Sequence, residues 1–205
     1  MSVYLDYDRY ASEYEDNYTS DECIEENEII RDHFLALHSD FKNKRILDLG
    51  TGTGFLLDLA GKRIHQAYFT GIDISTEMLD VAANKYPSGR FIADDAERAV
   101  REISASEQVA DVVFSAFSIP YIRVGAIEAV YDVLKVGGIF ITAFYDRPYL
   151  NPASVYSGQV DHYHQDVLPQ VNRCIERAEN LFSTEYKAPL TATGAYKIAI
   201  YRKHT

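Results

Sequence analysis

The sequence predicts a doubly wound α/β fold: a mostly parallel, seven-stranded sheet with an antiparallel C-terminal hairpin. Three observations lead there. Short apolar runs alternate five times with helical stretches, three alternating glycines sit at the first strand-to-helix junction, and the last two strands lie too close in sequence to run parallel.

The first 40 residues are acidic and rich in tyrosine. From Glu25 to Leu37 the apolar residues Ile29, Ile30, Phe34 and Leu37 recur at helical spacing. Arg45–Leu49 reads as the first strand, with a helix over Phe55–Lys62. Tyr68–Ile72 is the second strand, and Ser75–Lys85 its helix, with Ser75 placed to cap it. Arg90–Ala93 and the helix Ala96–Ile103 follow, then the strand Ala110–Phe114 and the helix Gly125–Leu134. Gly138–Phe144 is continuously apolar and β-branched, as a buried parallel strand should be. Asp166–Leu181 reads as a helix, and Ser183–Pro189 and Ala195–Lys203 as two strands. The link Thr191–Gly194 is too short for a crossover, so these two pair antiparallel.

The chain has 205 residues, 47% hydrophobic and 25% charged, enough for one domain with a sizeable core. Twenty Lys and Arg stand against 31 Asp and Glu, a formal charge of -11. Such a surface repels a phosphate backbone and disfavours a nucleic-acid substrate. Tyrosine dominates the aromatics, with 16 Tyr, 10 Phe and no Trp. Cys23 and Cys174 match no metal-ligand spacing, so no metal is expected, and two free thiols suit a reducing, cytoplasmic setting. The N-terminus lacks an apolar core of the secretory kind, and no apolar run approaches membrane-spanning length.

The most informative segment is Asp48–Phe55, D-L-G-T-G-T-G-F. Glycines at 50, 52 and 54 let the backbone turn sharply and let a ligand approach it. In an open α/β sheet this is where ligands bind, beyond the carboxyl ends of the strands. A dinucleotide fingerprint needs a third glycine for close helix–strand packing, and this chain has Phe55 or Leu57 there, depending on the frame. A P-loop needs Gly-Lys-Ser/Thr, and Gly61-Lys62-Arg63 comes too late and lacks the hydroxyl.

The segment ILDLGTGTG resembles the first motif of the class I S-adenosylmethionine-dependent methyltransferases. GIDIS (71–75) is similar to their second motif, and STEMLDVAANKY (75–86) to the helix after it. FIADDAE (91–97), ADVVFSAFSIPYI and VLKVGGIFITAFYD are similar to the third-, fourth- and fifth-strand segments. YDRYASEYE (7–15) resembles the opening of many small-molecule members. The matches are ordered and cover most of residues 7–146.

This resemblance implies S-adenosyl-L-methionine as cofactor and a small-molecule methyl acceptor, with neither nucleic acid nor membrane as partner. It implies that Asp73 accepts hydrogen bonds from the ribose hydroxyls, and that Ile74 and Met78 pack on the adenine. As core residues, Ile74 and Met78 would look the same in sequence. Asp95 matches the adenine-reading acid, with the Ala96 backbone beside it. Asp94 is its rival, since one of the pair should point inward. Gly50, Thr51, Gly52 and Gly54 would form the turn around the methionine part, with Ser115 ending the fourth strand against it. Tyr14 matches a residue that covers the cofactor, and Tyr7, Tyr10, Tyr14 and Tyr18 would share one helical face, as a cover or as core packing.

A sulfonium is already activated for displacement, so positioning can supply most of the rate and no base is obligatory. None is legible. Tyr121, His162 and His164 are the candidates, because they follow the fourth and fifth strands. Ser118-Ile119-Pro120-Tyr121 superficially resembles the [DNS]-P-P-Y loop of nucleic-acid amino-methyltransferases. However, its second position is Ile, and it starts four residues past Phe114 rather than at the strand end. The expected organisation is one methyltransferase domain: an N-terminal helical cap (1–40), a cofactor-binding core (41–146), and an acceptor loop, helix and hairpin (147–205). A cofactor-binding protein without methyl transfer, serving as sensor or partner subunit, is the competing reading.

Overall fold

The computed structural model describes residues 7–11, 14, 21–37, 41–106, 109–145, 167–189 and 196–204. A short helix α1 (Tyr7–Tyr10) and a long helix α2 (Asp21–Leu37) precede the sheet. Then come β1 (Arg45–Leu49), α3 (Phe55–Ala60), β2 (Tyr68–Asp73), α4 (Thr76–Lys85), β3 (Arg90–Ala93), α5 (Ala96–Ala105) and β4 (Ala110–Ala116). The chain continues through α6 (Val124–Val133), β5 (Leu134–Tyr145), α7 (Leu168–Leu181), β6 (Ser183–Pro189) and β7 (Tyr196–Arg202).

The strand order is β3-β2-β1-β4-β5-β7-β6. The pairs from β3 across to β5 are parallel, and β7 pairs antiparallel with both β5 and β6. The predicted hairpin is therefore present, with its later strand inserted between β5 and β6. The order reverses between β1 and β4, and that switch point opens a crevice beyond the strand ends.

Each inner strand feeds two cores. Leu47 and Leu49 of β1, and Val113 of β4, face Val100, Val130 and Tyr201 on the side covered by α5, α6 and α7. Ile46, Val112 and Phe114 face Ile30, Phe34 and Leu56 on the side covered by α2 and α3. Burial on both faces is why Ile46–Leu47 and Val112–Phe114 read as apolar runs and not as alternation.

Element ends differ from the sequence reading in places. Helix α3 stops at Ala60, where Gly61 adopts φ 54° and residues 61–66 continue as a 3-10 turn. A glycine at positive φ is a natural helix stop. Strand β4 runs to Ala116, two residues beyond Phe114, because β5 is long enough to pair with it there. Ser118 thus begins two residues past the strand end.

Candidate cofactor site

The crevice at the switch point is a cavity of about 410 Å³. Its floor is the glycine turn. Gly50, Gly52 and Gly54 have φ of 67°, 52° and 96°, a region L side chains rarely adopt. The turn is tied to β2, because the Ile72 carbonyl accepts from both Gly50 N–H (2.8 Å) and Thr51 N–H (3.0 Å). At Gly50 a Cβ would lie 2.3 Å from Ser118 Cβ, so the close approach of the β4 loop also requires glycine there.

Asp73 stands at the carboxyl end of β2, with its side chain held by backbone donors. Its Oδ2 accepts from Gly52 N–H and its Oδ1 from Ser75 N–H, each at 2.9 Å. Burial pushes its pKa above the ordinary carboxylate value, while these hydrogen bonds pull it back and the nearby Asp8 charge adds to the rise. The carboxylate is thus aimed at the cavity by the turn, with lone pairs left for a ligand. It is not diverted into an ion pair among the described residues.

Below the turn lies Asp48, buried and hydrogen-bonded from Thr51 Oγ1 at 2.8 Å. Burial raises its pKa to about 7, against the opposing Thr51 bond and with a smaller push from Asp73.

The remaining walls come from four segments. After β2, Ile74 is 77% exposed at the cavity, whereas Met78 is buried beneath it. Ile74 therefore has no share in the core, which removes the packing explanation for that residue. After β3, Asp94 and Asp95 both border the cavity. The expectation that one would face it assumed strand alternation, and β3 ends at Ala93. The two differ in use. Arg98 engages Asp94 and holds its carboxyl below the ordinary range. Asp95 caps α5 through one oxygen, Oδ1, which accepts from Glu97 and Arg98 N–H. Ala96 lines the cavity next to it.

After β4, Phe117 lies at φ 57°, outside the range usual for a side chain this large, and its N–H donates to the Ala143 carbonyl at 2.7 Å. Ser118 Oγ donates to the Leu49 carbonyl and meets Ser115 Oγ, both at 2.5 Å. Phe117, Ser118 and Tyr121 line the cavity. From the N-terminal segment come Tyr7, Asp8 and Tyr14, with the Tyr7 ring edge-on to Tyr121 at 5.7 Å and to Tyr14 at 6.4 Å.

The structure thus brings Tyr14, Gly50, Gly52, Asp73, Ile74, Met78, Asp95, Ala96 and Tyr121 to one cavity. Thr51, Gly54 and Ser115 stand behind its lining: Thr51 secures Asp48, Gly54 begins α3, and Ser115 is fully buried against Ser118. His162, His164 and Tyr18 lie outside the described residues, as does the side chain of Tyr10. Sequence reasoning missed Asp8 and Ser118 as cavity residues. Asp8 sits inside the YDRY opening and could have been suspected, but Ser118 depends on how the β4 loop folds back over Leu49. Among the described residues there is no cluster of three metal-ligating side chains, and no helix long and apolar enough to cross a membrane.

Residues 46–138 match a family model described as a methyltransferase domain. A malonyl-(acyl-carrier protein) O-methyltransferase of Marinomonas sp. is 26% identical over 145 residues, covering 67% of this chain and 52% of that protein. A demethylmenaquinone methyltransferase of Chlorobaculum tepidum is 33% identical over 134 residues, covering 63% of this chain and 51% of that protein. The chain spans about half the length of these curated relatives. In fold it is similar to the plantazolicin methyltransferase BamL, solved with a desmethyl analogue and S-adenosylhomocysteine. That TM-score is 0.70 at 14% identity, over 96% of this chain and 91% of the other. The matched domain, the glycine turn and the sheet order together make this chain similar, over residues 46–138, to the class I S-adenosylmethionine-dependent methyltransferases.

Proposed function

We propose that this protein transfers a methyl group from S-adenosylmethionine to a compact small-molecule acceptor. The observation that carries the reading is Asp73, a carboxylate fixed by Gly52 and Ser75 N–H at the lip of a three-glycine turn. In this reading Asp73 accepts from the ribose hydroxyls, Ile74 and Met78 pack on the adenine, and the second oxygen of Asp95 with Ala96 N–H meets the adenine edge. The glycine turn passes the methionine part, with Thr51 and Ser115 supporting it from behind. The cofactor supplies an activated methyl on a sulfonium. The protein's part is to orient that methyl, exclude water and bring the acceptor into line.

Tyr121 is the described candidate for contact with the acceptor, since it lines the cavity beside Tyr7. The relatives named above act on different acceptors by their names, so none is carried over. Compactness is argued from the sequence between β5 and α7, which is too short for a separate acceptor domain. The charge of -11 argues against nucleic acid. The buried Cys174 thiol, raised to about 11 by burial, fits a free cysteine in a cytoplasmic protein. The division into cap (1–40), cofactor core (41–146) and acceptor segment (147–205) belongs to the same proposal, and the tyrosines of the first segment at the cavity support it.

Isothermal titration with S-adenosylmethionine and S-adenosylhomocysteine tests the cofactor part, and absence of binding by both rejects it. A screen of amine, hydroxy-acid and thiol acceptors with labelled cofactor tests transfer. Cofactor binding with no label transferred to any acceptor favours a sensor or partner subunit.

A further inference from the structure

Helix α1 borders the cavity through Tyr7 and Asp8. Asp8 Oδ1 accepts a 2.5 Å hydrogen bond from Ser75 Oγ. The same hydroxyl accepts Met78 N–H at 3.1 Å and so caps α4, while Ser75 N–H donates to Asp73. One buried serine therefore joins the N-terminal segment, the helix behind the cavity and the carboxylate at its lip. The roles do not compete, because the hydroxyl proton goes to Asp8 and a lone pair receives Met78 N–H.

Asp8 sits between the tyrosines that wall the cavity. Tyr7 meets Tyr121 edge-on, and Tyr14 Cε1 lies 4.0 Å from where a side chain on Gly52 would begin. Ala11, one turn on, is buried. Four residues of helix cannot hold themselves, so outside contacts fix where α1 lies. Aromatic edges tolerate several placements, whereas a charge-assisted hydrogen bond is directional.

Resting on the cofactor reading above, we infer that Asp8 is a positioning residue: its bond to Ser75 pins the N-terminal segment to α4, so that Tyr7 and Tyr14 close the wall over bound cofactor. Asp8 reaches the ribose carboxylate only through its charge, which Ala and Asn at position 8 remove alike, and the bond itself acts on the cofactor's escape. It requires an acceptor at position 8 and a donor at 75, and it does not require the charge.

The test is a chase of bound tritiated S-adenosylmethionine with excess unlabelled S-adenosylhomocysteine, on the full chain. Asp8→Ala should speed dissociation by about tenfold, the order expected for losing one charge-assisted bond, with a melting temperature close to that of the parent. Asp8→Asn keeps a carbonyl acceptor and should stay within about threefold of the parent. Ser75→Gly keeps a residue tolerated at the N-cap of α4 and adds no charge beside Asp8 and Asp73, but offers no proton to Asp8. It should match Asp8→Ala, and the double variant should add nothing further. Unchanged dissociation in Asp8→Ala, additive effects in the double variant, or an equally fast Asp8→Asn would overturn the inference. Should Ser75→Gly fail to fold, the contrast between Ala and Asn at position 8 still decides. A parent that binds neither compound refutes the cofactor reading itself, an outcome distinct from binding with an unaltered off-rate.

Discussion

Replacing Asp73 with alanine separates ligand binding from fold stability. In the free protein the carboxylate is buried, its pKa is raised, and two backbone N–H groups are its hydrogen-bond partners. The sign of that shift matters. A carboxyl whose folded pKa lies above its unfolded value contributes stability that is present at low pH and lost as pH rises through the folded value. The ionised side chain therefore burdens the free fold at pH 8, and alanine removes the burden together with the two bonds. Cofactor binding changes in the opposite direction. Losing hydrogen bonds to a charged group costs roughly 1.5–3 kcal/mol, or about 10- to 150-fold in Kd. Titration of S-adenosylhomocysteine at pH 8, with a parallel thermal melt, reads both. The expected result is affinity reduced by that factor, with the ligand-free melting temperature held or raised. An unchanged Kd in a folded variant removes the ribose assignment. A large drop in melting temperature would show that Asp73 serves the fold.

Three further outcomes follow from the same geometry. Asp48 has its pKa raised from 3.8 to about 7, so stability is lost as pH rises from about 4 to about 7, with a ceiling on the order of 4 kcal/mol. Asp48→Asn should raise the melting temperature at pH 8 by several degrees and much less at pH 4, and equal gains at both would contradict the assignment. Gly50→Ala puts a side chain at φ 67° and a Cβ 2.3 Å from Ser118 Cβ, which together cost roughly 2–4 kcal/mol. A depressed melting temperature and weakened cofactor binding should appear together, and a parent-like melt would show that the turn relaxes freely. Ser118→Ala removes bonds to the Leu49 carbonyl and Ser115, and should destabilise the chain by about 1–3 kcal/mol in chemical denaturation. No change in midpoint would show that water replaces both bonds.

The sheet was legible because burial on both faces leaves short apolar runs in β1 (Ile46–Leu47), β4 (Val112–Phe114) and β5 (Ile139–Ile141), and glycines or caps mark the turns between. Ser75 illustrates this well, since its position before an amphipathic stretch predicted the N-cap that it forms with Met78 N–H. The placement of β7 between β5 and β6 was not legible. Sequence adjacency makes β6 and β7 partners, but nothing local tells which of them reaches β5. At the site, Gly50, Gly52 and Asp73 could be read because backbone conformation and strand position leave marks in sequence. Ser118 could not, since it acts through Leu49 far along the chain, and for Asp8 the opening motif left a mark but its partner Ser75 did not. Ile74 shows the converse. Its apolar character fits a core or a ligand surface equally, and its exposure at the cavity decides between them.

The central claim is that the crevice between β1 and β4 holds an adenosyl sulfonium by its ribose. A crystal structure of the chain grown with S-adenosylhomocysteine examines it without any variant or kinetic inference. The predicted result is the adenosyl group in the 410 Å³ cavity, with both ribose hydroxyls within hydrogen-bond distance of Asp73 and the adenine against Ile74. Ligand bound elsewhere on the chain, with Asp73 still engaged by Gly52 and Ser75 alone, would contradict it.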